Sequence, residues 1–186
     1  YDPSATEIQQ EGFRIPPLKI AERGRRNEAV VKLLLRQTRE PANVGGDFAS
    51  QLAALETGAA NLKRVVARYG ADRLSAAMAR IQDQSEAAMR AMIRDVPDGT
   101  YSFEDFVDDD GIDRDTPLRV AVSLTVDGET MSIDLEGSSP QAKGPVNCTY
   151  AMAYSAAMCG VLMSLGTEIP ANAGCYRPAP VTAPPG

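Results

Sequence analysis

The apolar residues of this chain change their spacing once, at Pro97-Asp98-Gly99, and that change divides what the chain can fold into. Before it, Phe48, Leu52, Leu55, Ala59, Leu62, Val66 and Tyr69 alternate steps of four and three residues, and so do Leu74, Met78, Ile81, Ser85, Ala88 and Met92. That is the seam spacing of paired helices. Gly70 separates the two runs, so the spacing predicts an antiparallel helical hairpin over residues 47–97, with Pro97-Asp98-Gly99 stopping the second helix. After it, Tyr101 and Phe103, then Leu118, Val120, Val122, Leu124 and Val126, then Met131, Ile133 and Leu135 recur every second residue, the period of strands. Asp127-Gly128 reads as a two-residue type I′ turn, which would set Leu124 opposite Met131 and Val122 opposite Ile133. The run Tyr150 to Leu165 is apolar and uncharged but rich in alanine and interrupted by Ser155 and Ser164, so a buried core helix is expected rather than a membrane span.

The fold class read from this pattern is α+β: a long antiparallel helical hairpin, then an antiparallel β-hairpin or sheet with a buried helix, forming part of a larger domain. Residues 1–46 are expected to hold an extended segment and a short helix capped by Asn27 and ended before Pro41. The sheet, the buried helix and polar Gly/Pro loops are expected over residues 98–186. With 186 residues and 44% hydrophobic content the chain is long enough to bury a core. It opens Tyr1-Asp2-Pro3 with no basic and apolar leader, so it reads as a processed or excised piece without a signal peptide.

Nineteen basic against 25 acidic side chains give a net charge of −6, which disfavours nucleic acid or an anionic membrane surface as partner. Cys148, Cys159 and Cys175 form no C-x-x-C pair, which points to a reducing cytoplasm. The chain has no histidine, so Ser-His and Cys-His nucleophiles and His-ligated metals are excluded within it.

Three stretches could carry chemistry. Asp98, Glu104, Asp105, Asp108, Asp109, Asp110, Asp113 and Asp115 form the densest charge, in a spacing that does not fit an EF-hand, and a solvated acidic loop is the favoured reading. Gly137 to Asn147 combines Ser138, Ser139, Lys143 and Asn147 just before the apolar run, either as a turn with a helix cap or as an anion site. Pro170 to Pro178 brings Asn172, Cys175, Tyr176 and Arg177 together. Arg177 could clamp a carbonyl or carboxylate oxygen, while Cys175 reads as an inert buried thiol more readily than as a nucleophile.

Four motifs in order resemble one family. They are Glu11-Gly12-Phe13-Arg14-Ile15-Pro16-Pro17; Pro97-Asp98-Gly99-Thr100-Tyr101 with Glu104-Asp105 and Asp108-Asp109-Asp110-Gly111; Gly137-Ser138-Ser139-Pro140-Gln141 with Gly144-Pro145-Val146-Asn147; and Ile169 to Pro178. Together they are similar to the hydantoinase B/oxoprolinase family over nearly the whole chain. The resemblance implies an internal section of an ATP-dependent cyclic-amide hydrolase subunit that opens hydantoins, 5-oxoproline or related lactams. A hydantoinase A-like subunit or domain would bind ATP and activate the amide oxygen. An acetone-carboxylase-like subunit is the alternative, and a section for assembly, docking the ATP-binding subunit through the helical hairpin, is a third. The family's divalent metal is expected on His and Asp ligands outside this chain, so the piece alone is expected to be inactive. Arg14, Ser138, Ser139, Asn147, Asn172 and Arg177 carry over as site-lining or loop-structuring residues.

Overall fold

A computed structural model describes residues 4–166 and 169–184. They fall into two compact units, one comprising Ile8–Ser75 and the other Ala76–Gly186 with Tyr1–Glu7.

In the first unit a single turn, α1 (Ile8–Glu11), precedes a small hairpin of β1 (Ala21–Glu22) and β2 (Arg25–Arg26). Arg23 and Gly24 both have positive φ, 51° and 74°, which a two-residue type I′ turn demands. Asn27 then caps α2 (Glu28–Arg36), its Oδ1 accepting from the Val30 amide at 3.3 Å. The next helix, α3 (Pro41–Tyr69), starts six residues before the Asp47 expected from the apolar spacing. Pro41 opens this helix instead of only closing off the one before it, because at the first helical position its missing N–H costs nothing and its fixed φ is already helical. Gly70, at φ 83°, terminates α3 with its amide on the Val66 carbonyl at 2.8 Å. No residue of α3 is buried, and Leu55 and Leu62 of the expected seam are 70% and 55% exposed.

The helix α4 (Ala71–Ile93) begins at the end of that unit and runs into the second. Ser85, Met89 and Ile93, spaced by four, are its buried stripe. A sheet follows, with β3 (Gly99–Val107), β4 (Leu118–Asp127) and β5 (Thr130–Asp134) in antiparallel order. The β4–β5 register differs from the expected one by two residues, for Val126 faces Met131 and Leu124 faces Ile133. The turn residues are Gly128 and Glu129, and of these only Gly128 has positive φ, so the turn has its glycine at the first central position, as in type II′. A slip of two preserves the face of every side chain, which is why the apolar pattern alone could not detect it. Asp98 fixes this turn by accepting from the Gly128 amide at 2.8 Å.

The uncharged run forms α5 (Tyr150–Leu165), capped by Thr149. Its bounds match the expectation but its burial does not, since only Met158 and Val161 are buried while Met152 and Met163 are 65% and 77% exposed. A short turn, α6 (Ala173–Tyr176), leads into β6 (Val181–Thr182), which lies parallel to β5. The amides of Met131, Ile133 and Leu135 donate to the carbonyls of Pro178, Pro180 and Thr182, each at 2.9 Å. Prolines fit at 178 and 180 because these two positions are asked only to accept. The core lies where α4, the sheet, α5 and the final segment meet, at Met89, Ile93, Met131, Ile133, Met158, Val161, Cys175, Ala179 and Val181.

Candidate functional site

The acidic loop is not a uniformly solvated run, because Asp110 is 5% exposed. Its Oδ1 accepts from the amides of Ile112 and Asp113, and its Oδ2 from those of Lys143 and Gly144, at 2.6 to 3.2 Å. The amides of Asp113 and Ile112 hold its carboxyl below the ordinary carboxylate range; burial opposes this, and Gly144 and Lys143 add to the lowering. One carboxylate therefore joins two of the sequence motifs. Gly144 has to be glycine, since a Cβ there would lie 1.7 Å from the Asp110 carbonyl oxygen. The remaining acids serve turns or face water: Asp109 accepts from the Gly111 amide and Asp105 from the Phe106 amide. Among the described residues no three His, Cys, Asp or Glu side chains converge as a metal ion requires.

Ser138 and Ser139 continue the sheet beyond the end of β5 by using their hydroxyls in place of a strand. Ser138 Oγ accepts from the Ala121 amide at 3.0 Å and donates to its carbonyl at 3.2 Å, while Ser139 Oγ accepts from the Arg119 amide at 2.9 Å. Asn147 closes the same loop on itself. Its Nδ2 donates to the carbonyls of Ala142 and Gly144, and its Oδ1 accepts from the Ala142 amide.

The loop Pro170 to Pro178 is seated on α4. Asn172 caps α6 through the Gly174 amide and donates from Nδ2 to Ser85 Oγ at 2.7 Å. Arg177 donates to Asp83, Glu86 and Gln82 at 2.9, 2.9 and 3.0 Å, a fork filled by one helix face. Arg177 first, then Arg90, holds the Glu86 carboxyl low. Cys175 is fully buried, its thiol on the Asn172 carbonyl at 3.0 Å. Arg14 lies in the other unit and is exposed.

Between the apolar face of β3–β5, the loop from Ser138 to Thr149 and one side of α5 lies a cleft of about 1290 Å³. Its walls are aliphatic and aromatic; its polar lining includes Ser138, Ser139, Gln141 and Asn147. The titratable side chains lining it are Tyr101, Arg119, Cys148 and Tyr150. Arg119 is held by Glu104 at 2.7 Å and by the Gly137 carbonyl, and the Tyr150 hydroxyl donates to the Val181 carbonyl. The cleft thus offers shape and a hydrogen-bonding rim, with its one guanidinium already paired.

A family model described as Hydantoinase B/oxoprolinase matches residues 1–186. The chain belongs to the hydantoinase B/oxoprolinase family. Its relatives in this family include the beta component of the caprolactamase of Pseudomonas jessenii, 34% identical over 95% of this chain and 30% of that protein. Another is the B component of a putative D-/L-hydantoinase of Pseudomonas sp. (strain NS671), 33% identical over 98% of this chain and 32% of that protein. The crystal structure of the ATP-dependent caprolactamase from Pseudomonas jessenii superposes with a TM-score of 0.87, at 32% identity, over 98% of this chain and 31% of that one. The chain therefore spans under a third of the length of these relatives. No helix among the described residues is long and apolar enough to cross a membrane.

Three residues within the family motifs organise the loops without having stood out in the sequence. Asp110 is one acid in a run of three, and only its position against the following Gly111 hints at a turn. Gly144 and Gly174 are the others, and both stand where backbone meets backbone: a Cβ on Gly174 would lie 1.9 Å from the Gln82 carbonyl oxygen. Gly/Pro-rich composition signals loops there but not what they touch.

Proposed function

We propose that this chain is a section of an ATP-dependent cyclic-amide hydrolase subunit, opening a hydantoin, 5-oxoproline or a related lactam together with an ATP-binding A-type partner. The observation that carries the reading is the likeness to the ATP-dependent caprolactamase, which extends over 98% of the chain at a TM-score of 0.87. Two relatives are named as one component, beta or B, of a larger enzyme, which supports a partner. An unstrained cyclic amide is a poor electrophile, and ATP supplies the phosphoryl group that makes its oxygen a leaving group. This chain's own part is to hold the cleft wall. Ser138, Ser139 and Asn147 fix the loop at its rim, Asn172 and Arg177 fix the loop on α4, and Arg14 belongs to the same motif set from the other unit. A divalent metal, with ligands elsewhere in the longer protein, and a cytoplasmic location complete the reading.

The test is the full-length protein with whatever co-purifies, assayed for ATP hydrolysis dependent on caprolactam, hydantoin or 5-oxoproline, with and without a chelator. Ring opening coupled to ATP cleavage supports the proposal. Consumption of ATP only with bicarbonate and a ketone would replace it by the carboxylase alternative. The exposure of Leu55 and Leu62 favours a second role for the helices, docking the ATP-binding partner. Replacing Leu52 and Leu62 by Asp and recovering the heteromer intact would remove that role.

A further inference from the structure

The two edges of the main sheet are built differently. At one, β6 is only two residues long, which leaves little edge for further pairing. At the other, β3 is nine residues long and pairs with β4 without a break from Gly99 against Val126 to Val107 against Leu118. It contains no proline, no lysine and no bulge, and among the described residues β4 is its only neighbour. Its outer edge is therefore a row of backbone donors and acceptors without a neighbouring strand among the described residues, with the Phe106 amide held by the Asp105 side chain.

The apolar face at this edge is uncovered as well. Tyr101, Phe103 and Val107 of β3 are 44%, 69% and 43% exposed, and Val120 beside them on β4 is 50% exposed. An antiparallel sheet with one solvated face keeps its apolar face covered, but here β3 is exposed along its whole length, the apolar face included. The same stretch is strongly acidic: residues 98–115 hold eight acids and one base, Arg114. Asp105 and Asp108 stand exposed at its far end. Relatives of this chain are about three times as long, so the same polypeptide offers ample length to reach this edge.

We propose that the free edge of β3 takes a further strand from elsewhere in the same full-length polypeptide, one that places apolar residues beside Tyr101 and Phe103 and lysine or arginine towards Asp105 and Asp108. Backbone pairing gives the affinity, and apolar residues beside Tyr101 and Phe103 with a basic residue beside Asp105 on the same face give the register. The proposal concerns how the full-length protein is built and stands independently of the reaction it catalyses.

Hydrogen exchange on the full-length protein, purified without its partner and at low concentration, tests it. A free edge leaves about half of the β3 amides exchanging at unprotected rates, whereas a paired one slows all of them by roughly 100-fold or more. Protection of every amide from Thr100 to Val107 in the lone protein is the expected result. Fast exchange of alternate amides overturns the proposal. So does protection that develops only on adding the ATP-binding partner or on raising the concentration, because the strand would then belong to another chain. Zero-length carboxylate–amine cross-linking of the same sample identifies the occupant. Links from Asp105 or Asp108 to a lysine of the same polypeptide are expected, and links that are only intermolecular refute it.

Discussion

Replacing Gly174 by Ala perturbs the tightest backbone contact between the Pro170–Pro178 loop and α4. The new Cβ would lie 1.9 Å from the Gln82 carbonyl oxygen, 2.6 Å from its carbon and 2.8 Å from its Cα, where about 3.0 Å is the closest real approach. The loop must retreat by 3.0 − 1.9 = 1.1 Å, and helix backbone cannot swing aside as a side chain can. A retreat of that size along the bonds would take the Arg177 contacts at 2.9 Å and the Asn172–Ser85 contact at 2.7 Å out of hydrogen-bonding range. Overpacking by one methyl costs about 1–3 kcal/mol, and rigid neighbours on both sides put this case at the upper end, about 3 kcal/mol. That corresponds to roughly 160-fold faster amide exchange in peptides spanning residues 82–93 and 169–184 of the full-length protein. Gly58→Ala is the control. It sits inside α3 with nothing within 4 Å of the new methyl, so it should stabilise its helix by about 0.5–1 kcal/mol. If Gly174→Ala leaves exchange in both peptides within a few-fold of wild type, the close-contact reasoning is wrong.

Other outcomes follow from the same structure. Asp110 and Glu86 both have carboxyls held low in the folded state, so their contribution is complete above the ordinary carboxylate range near pH 4 and is lost as pH falls through their lowered values. Exchange in the peptide 138–147, corrected for intrinsic rate, should therefore rise on acidification in the wild type. In Asp110→Asn it should be raised at every pH, and an unchanged acid response in that variant would assign the effect elsewhere. Ile93→Ala, at a site with no exposure, should cost about 2–5 kcal/mol in chemical unfolding. Cys175 should stay unreactive to a thiol reagent until the protein unfolds, and Cys175→Ala should retain turnover; loss of activity with normal exchange would revive it as a nucleophile. Arg177→Gln should speed exchange over residues 172–177 with KM for the cyclic amide unchanged. A raised KM with normal exchange would instead make Arg177 a ligand clamp.

The parts of the fold that could be read in advance are those encoded by periodicity. The helices around Gly70, the strands after Gly99 and the bounds of α5 all follow from spacing and from local breakers. What spacing could not give was the two-residue register slip at Gly128, because both registers keep Met131, Ile133 and Leu124 on one face. Nor could it give the burial of α5, since an all-apolar helix reads as buried whatever surrounds it, and the described residues cover mainly the side bearing Met158 and Val161. At the candidate site, the loops were legible from their Gly/Pro framing, but the partners of their polar groups were not. Ser138 and Ser139 act on β4, Asp110 reaches 34 residues ahead, and Arg177 reaches back 94 to Asp83. Such contacts have no local signature, because they exist only after the sheet and α4 are in place.

The seating of the final loop on α4 also sets an order of events in the making of the protein. Ser85, Asp83 and Gln82 meet their partners at Pro170, Asn172 and Arg177 across 85 to 95 residues of sequence. At about 5–20 residues per second, a ribosome needs roughly 5–20 s to deliver the second set after the first. Throughout that interval the acids of the nascent helix wait without Arg177, and Met89 and Ile93 wait without the segment that helps to bury them. A synonymous codon change that slows translation between residues 95 and 170 therefore lengthens the time in which this helix stands open to proteases and holding chaperones, with no change in the mature protein.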